Sequence, residues 1–253
     1  IVKQMSYFNN QPLGFDKDAI VNVPLPSDSI SNRKLNYLKQ QLQTINGIQD
    51  VSFSSNTPVE DNHDDWTAPA FDNALKHLDF YSVIKFADKD YVPVYQLPLV
   101  AGRNMEPSDT FREFLVNERF MRNVHIKNPN EMLGKELTFG NTKGTIVGVL
   151  KNFHTESFKD SLTPLIIATL RANYNEASIK LTTKNVKPVM ASIEKLWNNT
   201  YPDFVFEYKF LDDKIAGFYK QENQLAYLYK IFAGIAIFLS CLGLYGLASF
   251  MAV

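Results

Sequence analysis

The sequence predicts an α+β fold in which two βαβ-type units bracket a strand-rich middle and a long helix then runs into a membrane span. Three observations predict it. Residues 231–253 read IFAGIAIFLSCLGLYGLASFMAV without one charged side chain, the length and polarity of a helix that crosses roughly 30 Å of hydrocarbon. The residues before them are polar and charged, with apolar positions recurring at helical spacing in some segments and alternating in others. The segment joining the two regions, residues 212–230, keeps a helical period and contains no proline.

At the start of the chain, Ile1, Met5 and Phe8 fall at i, i+4 and i+7. Asn9-Asn10 and Pro12-Leu13-Gly14 then signal a turn, so residues 1–14 are expected to end a preceding helix. Residues 19–24 (AIVNVP) alternate as a strand. Leu35, Leu38, Leu42 and Ile45 place a helix over 31–45 that Gly47 terminates, and residues 51–55 return as a strand. That completes the first βαβ unit. An acidic loop, residues 60–65, precedes a β-type run over 78–86 and a proline-punctuated stretch over 92–101. Further on, 114–117 reads as a strand, 118–124 as a short helix, and 136–139 with 144–150 as a hairpin whose loop is 140–143. The second unit is a strand over 177–182, a helix over 186–198 with Val189, Ile193, Leu196 and Trp197 inward, and a strand over 204–210. No identity between the two units marks them as an internal repeat.

In the joining segment, Ile215, Phe218, Tyr219, Leu225, Leu228 and Tyr229 hold the helical period, and Asp212 and Asp213 favour its N-terminal end. Stalk and span therefore read as one rod, lifting the domain about 27 Å above the bilayer. The competing reading is a surface helix packed on the domain. For residues 231–253, a signal peptide would lie at the other end of the chain, and a buried core helix would rarely run for 23 residues without one Lys, Arg, Asp, Glu, Asn or Gln. Within the span, Ala236, Ser240 and Gly243 share one small-residue face on which another helix could pack closely. The plainer reading is the ordinary abundance of Gly and Ala in membrane helices. The chain opens at Ile1 without methionine and stops at Val253 with no basic flank, as expected of a piece of a longer polypeptide.

Composition excludes several classes. A formal net charge of −1 removes the broad attraction that nucleic acid or anionic lipid requires. The one cysteine, Cys241, sits in the span, so the domain has neither a disulfide nor a Cys-based metal site. There is no GxxxxGK[ST] loop, GxSxG elbow, HExxH or CxxC pair, so no catalytic residue and no cofactor is expected. His154 and Glu156 lie just after a strand with no third partner nearby and read as surface or structural. Glu60, Asp61, His63, Asp64 and Asp65 offer carboxylates but lack calcium-loop spacing, and read as a solvated loop. Asn198-Asn199-Thr200 matches a glycosylation sequon, a pattern common by chance. Aromatic residues make up 13% of the chain; core packing is the ordinary use of such residues, and a hydrophobic cargo groove is the alternative.

One stretch is more specific. Residues 115–167 carry Val116-Asn117-Glu118, Asn128-Pro129, Gly134-Lys135, Ile146-Val147-Gly148-Val149, Asn152-Phe153-His154 and Pro164-Leu165, with Gly102-Arg103 ahead of them. This resembles the MacB-type periplasmic core domain of FtsX-like ABC transporter permeases. Residues 13–25 and the run from Tyr229 onward are similar to the same family, so the likeness covers nearly the whole chain. The resemblance implies a porter-like subdomain in two parts, residues 15–99 and 170–211, and an inserted Sabre-like subdomain at 100–169. A stalk at 212–230 and a transmembrane helix at 231–253 follow. It further implies an inner-membrane location with the large domain in the periplasm, a cytoplasmic ABC ATPase as partner, a permease homodimer or pseudo-dimer, a periplasmic adaptor, and lipid around the span.

The function so implied is transmission of ATP-driven motion across the membrane, to export or extract a substrate, by a non-catalytic permease subunit. The alternative is a membrane-anchored regulatory or binding module that controls a cell-wall hydrolase or adaptor without transport. A third reading, a tethered hydrolase, requires His154 and the acidic loop to meet in one concave site.

Overall fold

A computed structural model of the chain describes residues 14, 16, 18–59, 65–72, 78–139, 142–153, 162–182, 186–218 and 220–251. The chain runs through β1 (Ile20–Pro24), α1 (Ser29–Arg33), α2 (Leu35–Thr44), β2 (Ile48–Ser54), β3 (Asp65–Thr67), β4 (Ala70–Phe71) and β5 (Ser82–Phe86). It continues through α3 (Tyr91–Val94), β6 (Leu99–Gly102), β7 (Glu113–Asn117), α4 (Glu118–Asn123), β8 (Glu136–Phe139), β9 (Thr142–Leu150) and β10 (Leu165–Ala168). Last come β11 (Glu176–Leu181), α5 (Val186–Thr200), β12 (Lys209–Phe210), α6 (Leu211–Phe218) and α7 (Lys220–Met251). The expected stripe at residues 1–13 lies outside the described residues, as does Tyr219 between α6 and α7.

Residues Pro12–Lys214 form one compact unit. Its first sheet has four strands in the order β12-β1-β11-β2, every neighbouring pair antiparallel. The two βαβ units thus interleave: β11 slots between β1 and β2, and β1 between β11 and β12, a ferredoxin-like split arrangement. Helices α2 and α5 pack side by side. Leu35, Leu38 and Leu42 of one and Val189, Ile193 and Trp197 of the other are buried in a core with Val21, Val23 and Ile179 of the sheet.

Several elements differ from expectation: the helix expected over 31–45 is two, α1 and α2, broken at Lys34, and β2, β5 and β9 begin at Ile48, Ser82 and Thr142. The first helix starts at Ser29 rather than Ser31, because the Asp28 carboxylate caps it by accepting from Ile30 N (3.0 Å) and Ser31 N (2.9 Å). The last strand shrinks from 204–210 to Lys209–Phe210. Its register on β1, Val21 opposite Phe210 and Asn22 opposite Lys209, would carry it on to Pro24, which has no N–H to extend a ladder.

The second sheet has the order β3-β5-β10-β7-β9-β8-β4, with β6 on β9. It mixes directions: β10 is parallel to β5 and antiparallel to β7, and β7 is parallel to β9. Strands β8 and β9 form the expected hairpin. The boundary drawn at residue 100 falls inside this sheet, whose first strand begins at Asp65; β3 to β5 belong to it rather than to the sheet of β1. An isolated bridge from Ser54 to Ala87 joins the sheets, and one apolar core takes Val21, Leu38 and Trp197 together with Phe114, Phe120 and Ile166.

The residues from Ile215 onward belong to the second compact unit. Its main described element, α7, is 32 residues long, about 48 Å of helix.

Candidate functional site

Strands β1 and β11 alternate, so Val21, Val23, Ala177 and Ile179 join the apolar core while Asn22, Ser178 and Lys180 face the other way. On that second face a buried polar seam ties the sheet to α3 and its flank. Asn22 Nδ2 donates to Ser178 Oγ (2.9 Å) and Tyr95 Oη (3.4 Å), and the two hydroxyls lie 2.6 Å apart. Lys180 Nζ reaches Asp16 Oδ2 at 2.6 Å.

Asp88 holds the next turn. Its carboxylate accepts from Ser52 Oγ (2.9 Å), Phe53 N (2.9 Å), Asp90 N (3.0 Å) and Lys39 Nζ (2.5 Å), so β2, α2 and the lead into α3 meet on one charge. Burial works against the Lys39 ammonium, but Asp88 and then Asp90 outweigh it and hold its pKa above the usual lysine value. Burial likewise works against the Asp90 carboxylate, and Lys39 and Lys89 outweigh it, leaving its pKa below the usual range. Burial, then the Asp28 charge, pushes the Tyr201 phenol up to about 12. These groups brace the fold.

A groove of about 820 Å³ opens beside this seam. Asn22, Pro24 and Glu176 line it from the first sheet, Asn56 from the loop after β2, Asp65 from the second sheet, and the chain at Phe206–Lys209 from the edge of the first. Glu176 pairs with Lys214 at 3.5 Å. Asn22 Oδ1 is buried with no hydrogen-bond partner among the described residues.

In the other unit, α7 contains the only helix segment among the described residues long and apolar enough to cross a bilayer, Tyr227–Tyr245, with mean hydropathy 1.8 and none of it buried. Tyr227, Tyr229 and Lys230 stand at one end and Tyr245 at the other, about 27 Å apart along the axis, the spacing of aromatic belts at the two faces of a hydrocarbon core.

Of the stalk residues, Leu225, Leu228 and Tyr229 are exposed on α7, and Leu228 and Tyr229 fall within the apolar segment, which begins before residue 231. Ile215 is buried. The side chain of Phe218, like Tyr219, is outside the described residues. Ala236, Ser240 and Gly243 lie on one exposed side of α7. A Cβ built on Gly243 meets nothing within 4 Å, and Ser240 Oγ donates back to Ala236 O at 2.8 Å, so this hydroxyl is engaged within its own helix. His154, Glu156 and residues 60–64 are outside the described residues, and Asp65 sits in β3 on the groove wall. Among the described residues no three His, Cys, Asp or Glu gather as a metal site.

Sequence reasoning missed both the seam and the groove. The signal for the seam is the polar residue at alternate positions of otherwise apolar strands, Asn22 and Ser178. The groove has no such signal, because its walls come together from stretches of chain far apart in sequence.

Several of the quoted motif residues meet. Asn117 Oδ1 accepts from Phe120 N (2.9 Å) and Leu165 N (3.0 Å), and its Nδ2 donates to Thr163 O (2.8 Å). Glu118 accepts from Asn152 N (3.0 Å), and Asn152 Oδ1 accepts from Arg119 N (2.8 Å). Gly102 and Gly148 stand opposite each other where β6 crosses β9.

A profile of the MacB-like periplasmic core domain matches residues 5–196. No curated protein matches the chain. Among solved structures, the periplasmic region of MacB from Actinobacillus actinomycetemcomitans superposes with a TM-score of 0.54 at 13% identity, covering 81% of this chain and 94% of that one. A domain of a putative permease protein from Porphyromonas gingivalis gives 0.54 at 13%, covering 77% and 90%. The extracellular domain of the noncanonic ABC-type transporter YknZ from Gram-positive bacteria gives 0.51 at 11%, covering 75% and 99%.

Proposed function

Because the chain belongs to the family of MacB-like periplasmic core domains of ABC-transporter-type permeases, we propose that it is the extracytoplasmic part of a permease that passes ATP-driven motion across the inner membrane to export or extract a substrate. The observation that carries this reading is continuity in sequence: the last strand of the domain, β12, leads directly into α6, and an exposed apolar helix with tyrosines near both ends follows. In this reading ATP hydrolysis belongs to a cytoplasmic ABC ATPase, α7 is the moving connection, and the first and second sheets are the porter-like and Sabre-like parts. A second permease copy and a periplasmic adaptor complete the assembly, with lipid around the span.

The test is Leu225→Pro in the full permease reconstituted with its ATPase. Leu225 precedes the apolar segment and lies past the first turn of α7, so proline there removes the bond to the carbonyl of residue 221 and costs about 3 kcal/mol locally. The domain should keep its fold and the ATPase its turnover, while substrate movement is lost. Unimpaired movement would refute transmission through this helix. If no ATPase co-purifies with the permease, the chain is instead a membrane-anchored module that controls a cell-wall hydrolase or adaptor.

A further inference from the structure

The first sheet ends in an edge on which no strand pairs among the described residues. Beyond Lys209–Phe210 the segment 204–208 carries no ladder hydrogen bond among the described residues, and Val205 and Tyr208 are 81% and 45% exposed. A second cleft, about 370 Å³ and lined by Pro24, Leu25, Trp197, Phe204, Val205 and Glu207, flanks this segment in addition to the larger groove. Neither Glu207 nor Lys209 has an ion-pair partner among the described residues.

The sequence along this edge is self-complementary. Residues 206–210 read Phe-Glu-Tyr-Lys-Phe, which is symmetric about Tyr208 in side-chain type and antisymmetric in charge. In an antiparallel pair of two such edges centred on Tyr208, Glu207 stands opposite Lys209 of the second copy, and Lys209 opposite its Glu207. Phe206 and Phe210 face each other in the same way. Every pair keeps its face, because residues i and j with an even sum point to the same side of a sheet. Cross-strand pairs of opposite charge and of aromatic rings are the ones that stabilise a sheet, and like charges directly opposite disfavour it.

We propose that this edge is a docking surface for a second copy of the same chain, joined strand to strand about Tyr208 into a continuous eight-stranded sheet. The pairing is isologous, as two-fold association of identical chains requires. It is short, so it forms where two chains share a membrane rather than in dilute solution. It does not depend on the transport reading. Charged residues on an exposed edge have another use, which is to prevent pairing, and the experiment separates the two.

In the full chain, in membranes, with Cys241→Ser as background, Tyr208→Cys should give a disulfide-linked dimer under mild oxidant. Directly opposed residues lie about 4.5–5.5 Å apart at Cα, within disulfide reach. Tyr37→Cys, exposed on α2, should not cross-link. Adding Glu207→Lys or Lys209→Glu alone should lower the yield about tenfold, since each places two like-charged pairs across the strands. Combining both reversals should restore it. Both side chains are exposed, so an unchanged melting temperature of each variant checks that the fold is intact. No cross-link at Tyr208→Cys, a yield indifferent to the single reversals, or no recovery in the double reversal would each overturn the proposal and leave the charges as guards of the edge.

Discussion

Asn117→Ala should destabilise the domain more than any other substitution of an uncharged polar residue in the stretch that carries the family likeness. The side chain is fully buried between β7, α4 and the start of β10. It caps α4 through Phe120 N, holds Leu165 N, and donates to Thr163 O. Each such bond is worth about 1 kcal/mol net, and a buried donor left without its acceptor costs about 1–3 kcal/mol. Orphaning two buried N–H groups and losing the third bond gives about 3–7 kcal/mol, a large share of the roughly 5–15 kcal/mol that holds a typical domain together. Asn152→Ala removes a bond to Arg119 N that is exposed to solvent, where water replaces the acceptor, and should cost only about 0.5–1 kcal/mol. The assay is urea denaturation of residues 12–214, read by tryptophan fluorescence. With a slope of about 2–3 kcal/mol/M, Asn117→Ala should lower the midpoint by about 1–3 M at unchanged slope. A shift no larger than that of Asn152→Ala would refute the reasoning, because it would mean that burial does not set the worth of these bonds.

Gly102 has φ +75°, and a Cβ there meets the Val147 carbonyl oxygen and Leu133 Cδ2 at 2.7 Å. Gly102→Ala should therefore cost about 3 kcal/mol, backbone strain plus overpacking. Gly134→Ala, at φ +83° with nothing within 4 Å, should cost only the strain, about 1–2 kcal/mol; equal midpoints for the two in thermal melts would contradict this. In a membrane association assay, Gly243→Leu should weaken pairing of the span by about 1 kcal/mol and Leu242→Ala by less, and equal losses would dispose of the small-residue face. Stability of the 12–214 fragment should be flat near neutrality and fall at both extremes of pH. Asp90 and Glu113 have depressed pKa values when folded, so their contribution is present above their unfolded pKa values and disappears as pH falls through the folded ones. Lys39 has a raised pKa, so its contribution is present below its unfolded pKa and disappears as pH rises through the folded one. Lys39→Met should flatten the alkaline limb, and an unchanged limb in that variant would count against the assignment.

Periodicity located the helices because it reports which side of an element is buried. The Leu35, Leu38 and Leu42 stripe and the Val189, Ile193 and Trp197 stripe both lie against the first sheet's apolar face. The β-type run at 78–86 was equally visible, yet its sheet was not: in the strand within it, Ser82–Phe86, all five residues are buried, Ser82 and Lys85 included, so no alternation says which neighbour covers which face. Segment 204–208 alternates like a strand but pairs little, because the limit is set by Pro24, far away in sequence. The motif residues were legible as a pattern, whereas their physical content needed coordinates. Asn117 and Leu165 meet through one hydrogen bond, and Gly102 and Gly148 let two strands cross closely. The long apolar helix was readable from composition alone; what the exposed side carrying Ala236, Ser240 and Gly243 touches was not.

The strand order β12-β1-β11-β2 also sets a timetable for biosynthesis. Strand β1 is among the first parts of the domain to leave the ribosome, yet both of its partners come late: Ile20 waits for Lys180, and Val21 for Phe210. Contacts that close such long loops form slowly, since the chain must lose its freedom before pairing compensates. Until then the apolar faces of β1 and α2 are uncovered and open to aggregation. Soon after Phe210 the nascent chain delivers Tyr227 and the apolar helix, so completion of the sheet coincides with the emergence of a long exposed apolar segment. Slowing translation once residue 210 has left the ribosome should therefore raise the yield of folded protein, whereas slowing it once residue 54 has left should not.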